Sequence, residues 1–141
     1  MTDAELTCQL VSMMGWEMVA ATDPPASPQS QACFDSVYQC WFFRAGTTWK
    51  HWNPLKELND AIMIAEHLRT RTTGPRYWCE MRTPWMDDDG GERYMAGFTA
   101  WGCTGWNGRP DYVVLADSLP RAICLAALAT NEVDSSDRSS L

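Results

Sequence analysis

The 141-residue sequence predicts an α+β protein with a mainly antiparallel sheet covered by helices on both faces. Segments with helical or strand periodicity follow one another in the order α-β-β-α-β-β-β-α, and the later strands are separated by turns rather than by crossover helices. Several strands carry bulky apolar residues on both faces, so each face needs a covering layer. We therefore expect a three-layer αβα sandwich of three helices and four to five strands, built from residues 1–130.

The first half of the chain supplies one helix and two strands. Thr2 or Asp3 can cap a first helix, and Gly15 is a suitable residue for its end. Residues 16–20 then predict a short edge strand. Residues 37–44 alternate bulky side chains over eight positions, which predicts a strand that is buried on both faces.

The second half supplies the remaining elements. A second helix is expected to begin at or just after Pro54 and to end near Arg69. Three strands follow, at residues 76–82, 92–101 and 112–116. Asp117 or Ser118 can cap a last, almost entirely apolar helix that is expected to end near residue 129. The Ser- and Asp-rich residues 131–141 predict a disordered tail.

Charge restricts the classes of partner. A formal charge of −7 argues against nonspecific nucleic-acid binding, which depends on the neutralisation of phosphates. The charge is uneven, because residues 44–82 contain seven basic and four acidic residues, a net +3, which leaves −10 for the rest. This segment is either a local anion-binding patch or ordinary solvated surface charge.

The cysteines and the termini indicate a reducing compartment. Six cysteines show no paired ligand spacing, so we expect no zinc site, no other metal and no cofactor. The N-terminus lacks the features of a signal peptide, and no apolar run is long enough to span a membrane. We therefore expect a cytoplasmic protein with free thiols.

Catalysis is not indicated. The one carboxylate cluster, residues 87–89, has the composition of a hairpin turn and does not match a calcium-binding loop. No histidine neighbours a cysteine in a way that would activate a thiolate. We therefore expect a protein that is not an enzyme.

Tryptophans beside basic residues are the best candidates for a binding site. Indole rings can stack on nucleobases, and arginine, lysine or amide donors can hold phosphates. Trp49–Trp52 also precede a helix N-terminus, which favours anions. The alternative is that the tryptophans fill the core. The candidate ligand-binding residues are Trp49, Lys50, His51, Trp52, Arg76, Trp78, Trp101, Trp106 and Arg109.

Two stretches resemble a known family. Residues 52–68 are similar to its Trp-x-Pro motif and Asp-Ile-Ala-type helix, and residues 116–128 are similar to its closing helix with the motif Ala-Ile-Cys-x-Ala-Ala-Leu. Together with the Trp- and Gly-rich hairpin between them, they resemble the phage ABA sandwich domain, found in small bacteriophage and prophage proteins. The resemblance covers about residues 37–128 and implies an αβα fold and a phage accessory role in the host cytoplasm. It implies no catalytic residues.

Three functions follow as expectations. The first is a non-enzymatic phage protein that binds a small nucleotide-like ligand, such as a host immune signal held by an anti-defence sponge. The second is an inhibitor that binds a host defence enzyme through exposed Trp and Met side chains and a negative field. The third is a small phage enzyme. We also expect a homo-oligomer formed through an apolar helix face, with no membrane partner.

Overall fold

The fold was analysed in a computed structural model that describes residues 2–25, 29–72, 75–86, 92–100 and 112–139, without the side chains of 82–86, 92 and 132–139. The helices are α1 (Asp3–Met14), α2 (Leu58–Thr70) and α3 (Leu119–Ser139). The strands are β1 (Glu17–Met18), β2 (Gln31–Asp35), β3 (Cys40–Arg44), β4 (Lys50–Trp52), β5 (Tyr77–Met86), β6 (Glu92–Ala100) and β7 (Tyr112–Ala116).

The α+β class and the mainly antiparallel pairing are confirmed. The described strands do not form one sheet of four to five strands, however, but two sheets, with the orders β1-β2-β3-β4 and β5-β6-β7. The contacts within the chain define two compact units, unit 1 (Met1–Asn53) and unit 2 (Pro54–Leu141), which are described separately. The sandwich layering and the single domain over residues 1–130 stay predictions.

Helix α1 begins and ends where its capping residues predict. The Thr2 hydroxyl accepts a hydrogen bond from the Glu5 N–H at 3.1 Å and satisfies a donor of the first turn. Gly15 closes the helix with φ 74°, a left-handed conformation that glycine adopts without steric cost, and its N–H donates to the Ser12 carbonyl.

The predicted strand at residues 37–44 is corrected by a turn inside it. Residues 36–39 join β2 to β3, and the Asp35 carboxylate accepts from the N–H groups of Val37 and Tyr38. Gln39 completes the turn with φ 52°. A side-chain acceptor that satisfies two amides lets the chain reverse here, so apolar Val37 and Tyr38 lie exposed in the turn.

Aromatic packing covers one face of the unit 1 sheet. The Trp16 ring stacks on Phe43, with centroids 4.2 Å apart, and meets Trp52 edge-on at 4.7 Å. The Trp41 indole Nε1 donates to the carbonyl of Ala4 in α1 at 3.3 Å, which ties the first helix to β3. These tryptophans therefore pack inside unit 1, as the core interpretation of the sequence predicts.

Strands β5 and β6 form a long hairpin, as the sequence predicts, and β7 pairs on the other side of β6. The β5–β6 register shifts between Arg82 and Trp85, and Pro84 lies within that shift. Proline has no N–H to donate to a ladder, so it is tolerated where the register breaks on an edge strand. Helices α2 and α3 pack against each other and against the strands of this sheet.

Helix α3 is the centre of the unit 2 core. Over residues 122–128 every side chain except Leu125 is buried, in agreement with the apolar composition that predicts a core helix. The Ser118 hydroxyl accepts from the Arg121 N–H at 3.4 Å, so the predicted cap is present. Helix α2 begins at Leu58, after a residue whose side chain makes no capping bond, rather than directly at Pro54.

The backbone of α3 continues to Ser139, nine residues beyond Thr130. The disordered tail over residues 131–141 that the sequence predicts stays a prediction, and the backbone of residues 131–139 is helical. Extending an existing helix costs much less free energy than nucleating a new one. Residues 131–139 contain neither glycine nor proline that would end the helix. Of the helices in the described ranges, none combines the length and the apolarity needed to cross a membrane.

Candidate functional site

A pocket lies at the end of the β3–β4 hairpin in unit 1. Its volume is about 330 Å³, and the residues that line it are contributed by the end of β3, the connecting loop and the start of β4. The lining residues are Phe43, Arg44, Ala45, Gly46, Thr47, Thr48 and Lys50. The site is therefore built from eight consecutive positions, of which only Trp49 does not contribute to the lining.

The charge of the pocket is opposite to that of the unit that contains it. Residues 1–53 carry five acidic and two basic residues, a net charge of −3. The two basic residues are Arg44 and Lys50, and both line the pocket, whereas no acidic side chain does. A cavity lined by both cations of an acidic unit is suited to an anion.

Strand geometry places these two cations on different faces of the hairpin. Lys50 lies directly opposite Phe43 in the register, so their side chains share one face. Side chains alternate along a strand, and Arg44, next to Phe43, therefore points to the other face. The pocket lies at the tip of the hairpin, where both faces end.

Arg44 is held rigidly. It is only 4% exposed, its Nε donates to Gln31 Oε1 at 2.8 Å, and its Nη2 donates to the backbone carbonyl of Asp23 at 2.9 Å. Its guanidinium lies 4.2 Å from the centroid of the Trp49 ring, a cation–π contact. Gln31 in turn donates from Nε2 to the Glu17 carboxylate at 3.2 Å, so an amide separates the two charges.

The loop adds uncharged donors to the pocket. Thr47 and Thr48 contribute hydroxyl groups, which can donate to or accept from a ligand. Within the described part of the chain, the amide N–H groups of residues 45–48 make no backbone hydrogen bond. An anion in the pocket would therefore be near the exposed Lys50, the two hydroxyls and these amides, with the Arg44 side chain buried in the pocket wall.

The structure places the four predicted residues at 49–52 in different environments. Lys50 is exposed and lines the pocket. Trp49 is half-buried beneath Arg44, and its Nε1 donates to the Ala21 carbonyl at 3.4 Å. His51 is exposed and meets the ring of Phe42 edge-on, on the face opposite Lys50.

Trp52 belongs to the core of unit 1. It is only 2% exposed, and its buried Nε1 has no hydrogen-bond partner among the described residues. Its ring already contacts Trp16, so stacking of a nucleobase on Trp52 would require the core to open.

The other predicted site residues belong to unit 2 or lie outside the description. Arg76 is exposed and donates from Nε to the Arg71 carbonyl at 3.2 Å. Trp78, on β5, is 55% exposed, which leaves much of its ring accessible. Trp101, Trp106 and Arg109 lie outside the described residues, as do the carboxylates at 87–89 and Cys103.

The thiols of Cys79 and Cys124 have the properties of packing groups. Burial raises the pKa of Cys124 from 9.0 to about 12, and its Sγ donates to the Pro54 carbonyl at 3.2 Å. Burial, with a smaller contribution from the Glu80 charge, raises the pKa of Cys79 to about 11. Both shifts favour the neutral thiol, which is a poor nucleophile. Where side chains are described, no three metal-ligating groups converge.

Of the lining residues, the sequence predicts Lys50 as a ligand-binding residue and places Arg44 in the candidate basic segment, but it does not single out the loop between them. The missed signal is the segment Gly-Thr-Thr between two strands, where small and hydroxyl-bearing residues let a loop curve around a ligand. It was obscured by the neighbouring tryptophans, whose rings pack inside the fold instead. Comparisons of the chain with protein-family descriptions, with curated proteins and with solved structures found no match.

Proposed function

We propose that this protein is a non-enzymatic binding protein that captures a small, anionic, nucleotide-like ligand in the β3–β4 hairpin pocket. The observation that carries the proposal is the position of Arg44 and Lys50, the only arginine and lysine in an acidic unit, on one cavity. An anion would be attracted to this cavity more than to the rest of the unit 1 surface.

The dimensions and the lining support a ligand of mononucleotide size. A volume of about 330 Å³ is at the lower end of the range of small-molecule sites, about 300–1,000 Å³. Phe43 adds an aromatic residue to the lining, while the hydroxyls of Thr47 and Thr48 and the loop amides can bond to a phosphate or a sugar. The geometry differs from the predicted indole platform, because Trp49 does not line the cavity.

The resemblance to phage ABA sandwich proteins gives the proposal its context. A phage protein that binds a nucleotide without turning it over would lower the free concentration of a host immune signal in the host cytoplasm. An anti-defence sponge of this kind needs a preformed pocket and no catalytic group. The rigid support of Arg44 is in keeping with such a pocket.

Binding of AMP, measured by isothermal titration calorimetry, tests the proposal. Lys50→Ala should weaken AMP binding about tenfold or more, because a charge-assisted contact to phosphate contributes about 1.5–3 kcal/mol. Lys56→Ala is the matched control: it removes the other lysine of the chain, which lies exposed outside the pocket and gives the same change in net charge. Equal losses in the two variants, or no AMP binding by the native protein, would contradict the proposal.

Native mass spectrometry identifies the natural ligand and the oligomer. Protein exposed to lysate from defence-active cells should carry an added mass of a few hundred daltons, on the scale of one nucleotide. Denaturation should release that ligand intact, because no bond is broken. Release of a chemically altered product would favour the enzyme alternative. The same spectra show whether the protein forms the predicted homo-oligomer.

A second candidate function, inhibition of a host enzyme by direct binding, is favoured by an exposed apolar face in unit 2. Trp78, Val113 and Leu115 fall on one face of the β5-β6-β7 sheet and are all exposed. Tryptophan is a frequent hot-spot residue, and the net charge of −7 would complement a basic enzyme surface. Capture from host lysate of a stoichiometric basic enzyme that Trp78→Ala releases, with AMP binding absent, would favour this function.

A further inference from the structure

We infer that Arg44 is the specificity-determining residue of the hairpin pocket and that it makes the pocket prefer ligands with two negative charges, a phosphate monoester over a phosphate diester. This inference rests on the proposed function, because it concerns the same pocket. It adds to the proposed function a preference for ligands of a given charge. Neither the pocket volume nor Lys50 alone determines that preference.

The Arg44 guanidinium is surrounded by neutral groups. Among the described residues it contacts the side-chain amide of Gln31, the backbone carbonyl of Asp23 and the Trp49 ring. Among the described residues, no carboxylate lies within ion-pairing distance of it. Arg44 is therefore a buried cation without a counter-ion in the described part of the chain.

Burial of the Arg44 charge costs free energy. A charge removed from water loses much of its hydration, and hydrogen bonds to neutral acceptors replace only part of it. Arginine cannot lose its proton to escape this cost. The Glu17 carboxylate balances part of this charge through the Gln31 amide, and an anion in the pocket that Arg44 lines would balance more of it.

The number of negative charges on a ligand should affect how tightly the pocket binds it. With Lys50 at the same pocket, two positive charges are available, and no acidic residue that lines the pocket offsets them. A phosphate monoester carries a charge of about −1.5 to −2 at neutral pH, whereas a diester carries one negative charge. In a partly buried site each added charge interacts more strongly than in water, so the monoester should bind more tightly.

The bonds of Arg44 also suggest a purely structural role, and the test must separate the two. Through Asp23 and Trp49, the side chain holds the Ala20–Asp23 turn against the sheet. Arg44→Gln removes the charge but keeps a hydrogen-bond donor. Arg44→Lys keeps the charge but loses the planar fork. A structural role depends on the donors, whereas the proposed role depends on the charge.

The experiment compares AMP with cyclic AMP, which have the same base and sugar and differ in phosphate charge. By calorimetry at pH 7.5, the native protein and the Lys56→Ala control should bind AMP about tenfold more tightly than cyclic AMP. Arg44→Lys should keep most of this ratio, and Arg44→Gln should reduce it to about threefold or less. Because a phosphate monoester gains a proton near pH 6, the native ratio should also shrink at pH 5.5.

The outcomes distinguish this inference from the proposed function. If neither nucleotide binds to the native protein, both the proposed function and the inference about Arg44 are contradicted. If both bind with equal affinity, or if Arg44→Gln keeps the native ratio, the charge role of Arg44 is overturned while the pocket proposal stands. Thermal melts of each variant show whether it is folded. If Arg44→Gln does not fold, the native pH dependence and the Arg44→Lys ratio decide, since loss of the preference in Arg44→Lys would contradict the inference.

Discussion

The interiors of the two units differ in chemistry. Unit 1 buries Gln31 and Arg44 side by side in its sheet, and their hydrogen bonds extend to Glu17 and Asp23. In unit 2 the buried described side chains are almost entirely apolar, with Thr130 as the polar exception. One interior therefore depends on matched donors and acceptors, and the other on excluded water and close packing.

This difference explains where a binding site can arise. A polar pocket in an apolar core would expose apolar side chains to water, and this exposure would cost much of the free energy gained by burying them. A polar network already holds a charge close to the surface, and a ligand can complete its contacts. The pocket lies in the unit with the polar interior, and the buried Arg44 is one of the residues that line it.

The largest effect is expected from a cavity in the apolar interior. Ile123 in α3 is fully buried, and Ile123→Ala should destabilise the protein by about 2–5 kcal/mol, as lost burial and cavity terms add. Urea denaturation followed by circular dichroism measures this loss. Val113→Ala, at a position that is 49% exposed, is the control and should cost less than about 1 kcal/mol. Equal losses would mean that unit 2 is not organised around α3.

A smaller effect is expected from the polar interior. Gln31→Leu keeps a similar volume but removes the acceptor of the Arg44 Nε–H, so it should cost about 1–3 kcal/mol. Gln29→Leu, in an exposed loop position, is the matched control in the same urea experiment. If Gln31→Leu were neutral, the network would add nothing to stability and the contrast between the units would be broken.

A pH-dependent effect is expected from Cys124. Its folded-state pKa of about 12 lies above its ordinary value of 9.0, so burial of the neutral thiol contributes stability below pH 9 that is lost as the pH rises towards 12. The native protein should lose about 1 kcal/mol through this thiol between pH 8 and pH 10. Cys124→Ser, which does not ionise in this range, should show a flatter profile in urea titrations. An identical slope would contradict the assignment.

The smallest effect is expected on the exposed sheet face. Trp78→Ala should change the free energy of unfolding by about 0.5 kcal/mol or less, because more than half of the side chain is already in water. A thermal melt measures the change, and Thr99→Ala, at the cross-strand partner of Trp78, is a small-side-chain comparison. A loss above about 2 kcal/mol would show that Trp78 is covered in solution, for example by a second copy.

The sequence predicts helices better than turns in this chain. Gly15 and Thr2 are local signals that act within one or two turns of α1, so its bounds follow from nearest neighbours. The β2–β3 turn was missed because apolar Val37 and Tyr38 continue the alternation of the strand after them. The decisive interaction there is the Asp35 carboxylate bonding to two amides, which periodicity does not reveal.

The site was less predictable for a geometric reason. Trp49 and Lys50 are adjacent in the sequence, but the Trp49 ring packs beneath Arg44 and does not line the pocket, whereas Lys50 does. Whether an indole is a platform or part of the core depends on contacts such as those of Trp52 with Trp16, which lie 36 positions apart in the sequence. Lys50 was identified because a charge flanking a loop stays solvent-accessible under most packings.

The helix pair of unit 2 has a consequence for how the chain reaches its native state. The buried positions of α2 and α3 include five alanines, Ala61, Ala65, Ala122, Ala126 and Ala127. An alanine has no rotamers to lose, so ordering these positions costs backbone entropy alone, whereas a leucine or methionine would add to that cost. On folding, the helix pair therefore loses less conformational entropy per buried residue than a leucine-rich pair of the same length would.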